Sequence, residues 1–233
     1  MKSLLLYRQT EKEGSMGLAG INPLYLILGL AVLGLAPFML MLVTSYVKIV
    51  VVTSLIRNAL GVQQVPPAMV MNGLAIILTI FIMSPMVMDT LELLERQRLS
   101  VKPTPQEILS VADKVSPPLR DFLNKNTDPA ILKTFMGTAQ RLWPERRRSS
   151  ITKDNLLILV PSFTITELTR AFQIGFLLYL PFVAIDLLIS NILLAMGMMM
   201  VSPMTISLPF KLLLFVTLDG WLKISQGLLL SYQ

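Results

Sequence analysis

Residues 171–218 read AFQIGFLLYLPFVAIDLLISNILLAMGMMMVSPMTISLPFKLLLFVTL, and only Asp186 and Lys211 among them are charged. The strong turn signals in this run are confined to positions 197–209. It therefore reads as a helical hairpin, with Ser207 and Pro209 starting the return arm. A lone charge in an apolar helix is costly unless paired or neutralised, so Asp186 and Lys211 each need a partner. Their midpoint falls between Met198 and Met199. A turn there sets the two charges opposite each other at similar depth. Three readings stay open for the pair: a structural ion pair that fixes hairpin register, a proton or ion relay, and pairing across a subunit boundary.

The turn itself carries Met196-Gly197-Met198-Met199-Met200 and then Val201-Ser202-Pro203-Met204. On a helix face, such methionines are ordinary gap-filling core. Three adjacent methionines in a turn cannot all enter one core, so some are expected to project into a lumen or toward a partner. A ring of such turns would close around a passing chain and deform with it.

The rest of the chain agrees with a membrane class. It has 233 residues, 54% hydrophobic, 15% charged, with a mean hydropathy of +0.67. Of its 34 charged residues, 23 fall between Asp89 and Arg170, so two apolar blocks flank one polar insert. There is no histidine and no cysteine. That removes disulfides, thiolate and imidazole metal sites, Ser-His-Asp triads and cysteine nucleophiles. No GxxxxGK loop and no acidic cluster at ligand spacing occurs, so no cofactor, metal or enzymatic site is expected. The net charge of +6 is scattered apart from Arg146, Arg147 and Arg148. That run lacks interleaved aromatics, which favours a solvated or lipid-facing loop over nucleic-acid binding.

The organisation expected is a polar tail over 1–20, an apolar helical hairpin block over 21–88, a polar helical insert over 89–170 and the hairpin block over 171–233. Leu4 to Tyr7 is too short for a secretory signal, and Met16 offers a second start. Ile21 to Ile56 holds one charge, Lys48; as one helix it would run roughly 54 Å against a bilayer core of roughly 30 Å. Pro37 is expected to break it into a helix over 24–36 and a longer one to Leu60, ended by Gly61. Pro66 and Pro67 open the next helix, which is expected to run to about Met88 with a bend at Pro85.

Within the insert, Thr104-Pro105, Ser116-Pro117 and Asp128-Pro129 each place a capping residue directly before a proline. Three helix starts follow, the first with a Thr104/Glu107 capping box. Trp143-Pro144 stops the third, and Thr152 or Asp154 caps a further helix that Pro161 interrupts. Lys48 finds no carboxylate in its own block. It is expected to snorkel to headgroups or to meet another subunit, with Arg57 near the helix end. Asp219 and Lys223, four apart, are expected to pair along a helix.

The chain resembles the export-gate family comprising FliP of flagella and SctR of injectisomes. The resemblance rests on Arg57-Asn-Ala-Leu-Gly61 with Gln63-Gln-Val-Pro-Pro67, Ala171-Phe-Gln-Ile-Gly-Phe176, Pro181 to Asp186, Gly197-Met-Met-Met200, Ile206-Ser-Leu-Pro-Phe-Lys211 and Asp219-Gly-Trp221. It covers nearly everything from Pro37 onward, the insert only loosely. It implies an all-α, non-enzymatic subunit that assembles as a homopentamer with SctT-like and SctS-like chains, and with an SctU-like switch protein, in a conical complex. That complex would be the entry channel for unfolded proteins in type III secretion, set in the bacterial inner membrane.

By the same resemblance, Met198, Met199 and Met200 form a pore gasket and Asp186 with Lys211 an intramembrane charged pair. Lys48, Arg57 and Phe210 are candidates for packing or intersubunit contacts. Charge counting alone places the basic insert in the cytoplasm, whereas the resemblance places it in the periplasm. The latter is followed, because an insert of 82 residues exceeds the loop length for which positive charge sets orientation. The absence of a signal peptide favours the injectisome branch. The competing readings are a proton-coupled transporter with Asp186 as its titrating group, although no internal repeat is found, and a peripheral scaffold for nucleic acid.

Overall fold

The computed structural model describes residues 23–62, 66–97 and 104–233. The expectations for the tail and for residues 63–65 of the motif lie outside these. Ten helices and no strand occur among the described residues, so the chain is all-α. It divides into two compact units, 1–40 and 41–233. The first is described as one helix, α1 (Pro23–Leu42), which ends just past the boundary.

Pro37 lies inside α1 and does not break it. The break comes at residues 43–45, where Thr44 Oγ1 accepts the Tyr46 amide at 3.4 Å. Hydroxyl side chains that bond nearby backbone compete with helix, whereas an apolar helix tolerates a single proline.

The second unit begins with α2 (Tyr46–Leu60), closed by Gly61 at φ 76, and α3 (Ala68–Glu95), which continues through Pro85 and past Met88. The insert supplies α4 (Pro105–Val115), α5 (Pro117–Asn126), α6 (Pro129–Leu142) and the short α7 (Glu145–Arg148). All three proline starts are where the sequence places them. The Thr104 capping box forms and Asp128 accepts the Ala130 amide; Ser116 opens α5 without a side-chain cap.

The next helix, α8 (Leu156–Ala195), is capped by Asn155, whose Oδ1 accepts the Leu157 amide at 2.9 Å, rather than by Thr152 or Asp154. It passes through Pro161 and Pro181 and runs 40 residues, roughly 60 Å. The overlong helix is therefore here and not in the first apolar block. Then come α9 (Pro203–Thr217) and α10 (Gly220–Leu230). The return arm starts at Pro203, where Ser202 and Pro203 supply the N-cap and N1 residues; Ser207 and Pro209 lie inside it.

The centre of the unit is α2 laid against α8. On α2 the buried stripe is Ser45, Lys48, Ile49, Val52, Ile56 and Ala59, a helical 3–4 spacing. On α8 it is Leu159, Phe163, Glu167, Ala171 and Gly175, spaced by four. Gly175 is required by close approach: a Cβ there would stand 2.3 Å from Leu55 Cδ1 and 3.2 Å from its Cβ. A second apolar cluster joins Leu123 of α5 to Leu159 and Phe163, which seats the insert on the first half of α8.

By length and composition, α3 and α8 can each cross a membrane. Only 22% and 11% of their most apolar windows are buried by the chain itself. Surface of that kind requires lipid or another subunit against it. A further span is counted if α9 and α10, which meet at 58°, act as one bent pair.

Candidate functional site

The hairpin tip is built by a glycine. The helix α8 ends at Ala195, and Gly197 takes φ 73, which a side chain resists. The Met198 amide donates to Leu193 O at 2.9 Å and the Gly197 amide to Leu194 O at 3.0 Å. These two bonds form a Schellman closure, which satisfies the last carbonyls of α8 and turns the chain sharply. The residues after it have no core to enter: Met198 is 43% exposed, Met199 81% and Met200 100%.

Behind the tip, α9 returns along α8 and places Lys211 Nζ 2.6 Å from Asp186 Oδ2. The Ser207 hydroxyl donates to Asp186 Oδ1 at 2.6 Å, so both carboxylate oxygens are held. Lys211 is buried and also donates to Ala59 O at 3.1 Å. Ala59 is in the last turn of α2, whose carbonyls have no partner within the helix and whose dipole favours a cation. One ammonium thus ties α2, α8 and α9 together. Phe210, on the same arm, is exposed, and Arg57 is half-buried with no ion pair among the described residues.

Lys48 does not snorkel. It is 1% exposed, and its Nζ lies 3.1 Å from Oε1 of Glu167, itself 0% exposed. The geometry makes this a charge contact rather than a directed hydrogen bond. Ser231 Oγ accepts from Lys48 at 3.4 Å, and the Tyr232 ring lies under the ammonium at 3.7 Å. The Tyr232 hydroxyl donates to Glu167 Oε2. Burial first, and then the Glu167 charge, push that phenol well above its usual value, so it stays a donor. Tyr232 also stacks on Phe122 of α5, with centroids 6.0 Å apart.

Glu167, Ser231 and Tyr232 stand in no motif of the sequence, and Glu167 falls within the span 89–170 expected of the polar insert. The available signal was its place in the i, i+4 series between Phe163 and Ala171: a carboxylate on a buried stripe must have a partner. Asp219 and Lys223 do not pair among the described residues. Asp219 adopts a left-handed conformation, φ 51, ahead of α10, and only the backbones bond, Lys223 N to Asp219 O.

Among the described residues no group of acidic side chains is arranged to hold a metal ion. A family model described as the FliP family matches residues 29–228. The chain belongs to the FliP family. It is 51% identical over 207 residues to Yop proteins translocation protein R of Yersinia pestis, covering 89% of this chain and 95% of that one. It is similarly 47% identical over 214 residues to the hypersensitivity response secretion protein HrcR of Ralstonia nicotianae, covering 89% and 96%. With virulence protein YscR of Salmonella typhimurium the identity is 50% over 200 residues, covering 86% and 92%. This FliP-family chain is a membrane protein of the type III secretion apparatus.

Proposed function

We propose that this chain is the pentamer-forming core subunit of the type III secretion export gate, and that its Met198–Met200 tip seals the pore through which unfolded proteins enter the conduit. The observation that carries the reading is the tip: three consecutive methionines, exposed in the single chain, on a turn stiffened by the Gly197 closure. A flexible thioether conforms to irregular neighbours. Five such tips around an axis therefore make a seal that yields to a polypeptide and recloses. The chain catalyses no reaction in this scheme, and energy for transport comes from elsewhere.

The uncovered faces of α3 and α8 suit burial against further copies and against SctS-like and SctT-like chains, with an SctU-like switch protein alongside. The related proteins named for Yop translocation and for hypersensitivity-response secretion point to an injectisome, set in the bacterial inner membrane. The insert then faces the periplasm. The proton-coupled transporter reading needs Asp186 free to titrate. Its two oxygens are already held by Ser207 and Lys211, and Lys211 in turn caps α2, an arrangement that suits a structural brace.

Imaging the detergent-extracted assembly tests the reading. The expected result is five copies around a lumen, with cysteines placed at Met199 cross-linking between neighbouring copies. A monomer, or tips packed away from a shared axis, would overturn it.

A further inference from the structure

Two adjoining cavities lie where the apolar and polar parts of this chain meet. On α3 the uncharged stretch ends at Met88 and Asp89 follows; on α8, Glu167 and Arg170 are the last charges before Asp186. At that level α3, α5, α8 and the end of α10 converge. One cavity, about 750 Å³, is lined largely by apolar side chains that include Phe81, Ile82, Met86, Phe122 and Leu229. The other, about 320 Å³, is lined by Lys48, Lys125, Asn126, Arg170, Gln173 and Ser231 among others. Lys125, Asn126 and Gln233 line both, so the two adjoin along these residues.

The charges set a direction. Lys48 is neutralised by Glu167. Arg170 donates to Asn126 O at 2.9 Å and stands 3.8 Å from Glu167, and it remains partly exposed. Lys125 is exposed and has no ion pair among the described residues. The polar cavity therefore keeps a positive excess. Asp89 and Asp121 border the apolar cavity and repel an anion from that end.

We propose that the adjoining cavities together bind one anionic glycerophospholipid, its phosphate between Lys125 and Arg170 and an acyl chain along Phe81, Met86 and Leu229. Basic pockets between helices at the membrane boundary suit anionic headgroups, and the larger volume falls in the ordinary range for ligand cavities. Free phosphate would use only half of the site, and a zwitterionic lipid would lose the charge preference.

The test is native mass spectrometry of the purified export-gate complex with three probes: phosphatidylglycerol, phosphatidylcholine with the same chains, and inorganic phosphate. Phosphatidylglycerol should be retained at least about fivefold more tightly than phosphatidylcholine, the factor expected for one basic side chain at a membrane surface. Lys125→Gln, at an exposed position, should remove about fivefold of that preference. Arg147→Gln on the exposed basic loop should leave it unchanged. Met86→Trp, which fills the apolar cavity and alters no charge, should lower phosphatidylglycerol retention. Equal retention of the two lipids, a preference indifferent to Lys125→Gln, equal loss with Arg147→Gln, or displacement by inorganic phosphate as effective as by lipid would each overturn the proposal.

Discussion

Replacing Glu167 with leucine is expected to destabilise the chain by about 3–5 kcal/mol, the usual consequence of removing one partner of a buried ion pair. Lys48, at a position 1% exposed, would be left with no counter-charge, only the Ser231 hydroxyl and the Tyr232 ring in contact. The cost is the abandoned ammonium rather than the lost attraction. Adding Lys48→Met should therefore recover most of the stability, because a well-packed apolar pair is often as stable as the ionic one. Unfolding of the purified chain in detergent, followed by helical circular dichroism, measures both variants. A single substitution that costs under about 1 kcal/mol would place the pair on the level of a surface contact. Tyr232→Phe should cost less than Glu167→Leu, since it removes one donor and keeps the ring.

Reversing Asp186 to lysine is expected to abolish assembly and secretion of a reporter substrate. Two ammonium groups would face each other where Lys211 Nζ now lies 2.6 Å from the carboxylate. The double reversal, with Lys211→Asp, should restore only part of the activity. Its new carboxylate would point at Ala59 O and the C-terminal end of α2, where helix carbonyls already concentrate negative charge. Full rescue would mean that the Ala59 contact carries little. No rescue at all would mean that Asp186 acts through something other than Lys211.

The contrast between these two pairs shows what the sequence makes legible. Asp186 and Lys211 stand alone in one hairpin, so a local symmetry argument about the turn brings them together. Lys48 and Glu167 belong to helices that are distant in sequence. Glu167 is masked by its charged surroundings, and only the register of α8 against α2 unites the two. Helix starts in the insert were readable because a cap followed by proline acts locally through φ and an unbonded amide.

Helix breaks were less readable. Pro37 and Pro161 lie inside helices, since an apolar helix tolerates one missing bond, and the real break at 43–45 comes where the Thr44 hydroxyl accepts the Tyr46 amide. The long α8 was hidden for the same reason: Pro161 reads as an interruption, and Glu167 and Arg170 fall within the charged span 89–170 of the insert. The methionine tip was legible as a turn, and its outward exposure follows from the Gly197 closure that ends α8.

The seal is the central claim, and ion leakage measures it most directly. The complex carrying Met198→Ala, Met199→Ala and Met200→Ala together should assemble normally and show a clear rise in ion conductance across a bilayer or a living membrane, because alanine cannot span the gap the thioethers fill. Conductance equal to that of the unaltered complex, at equal assembly, would contradict the account.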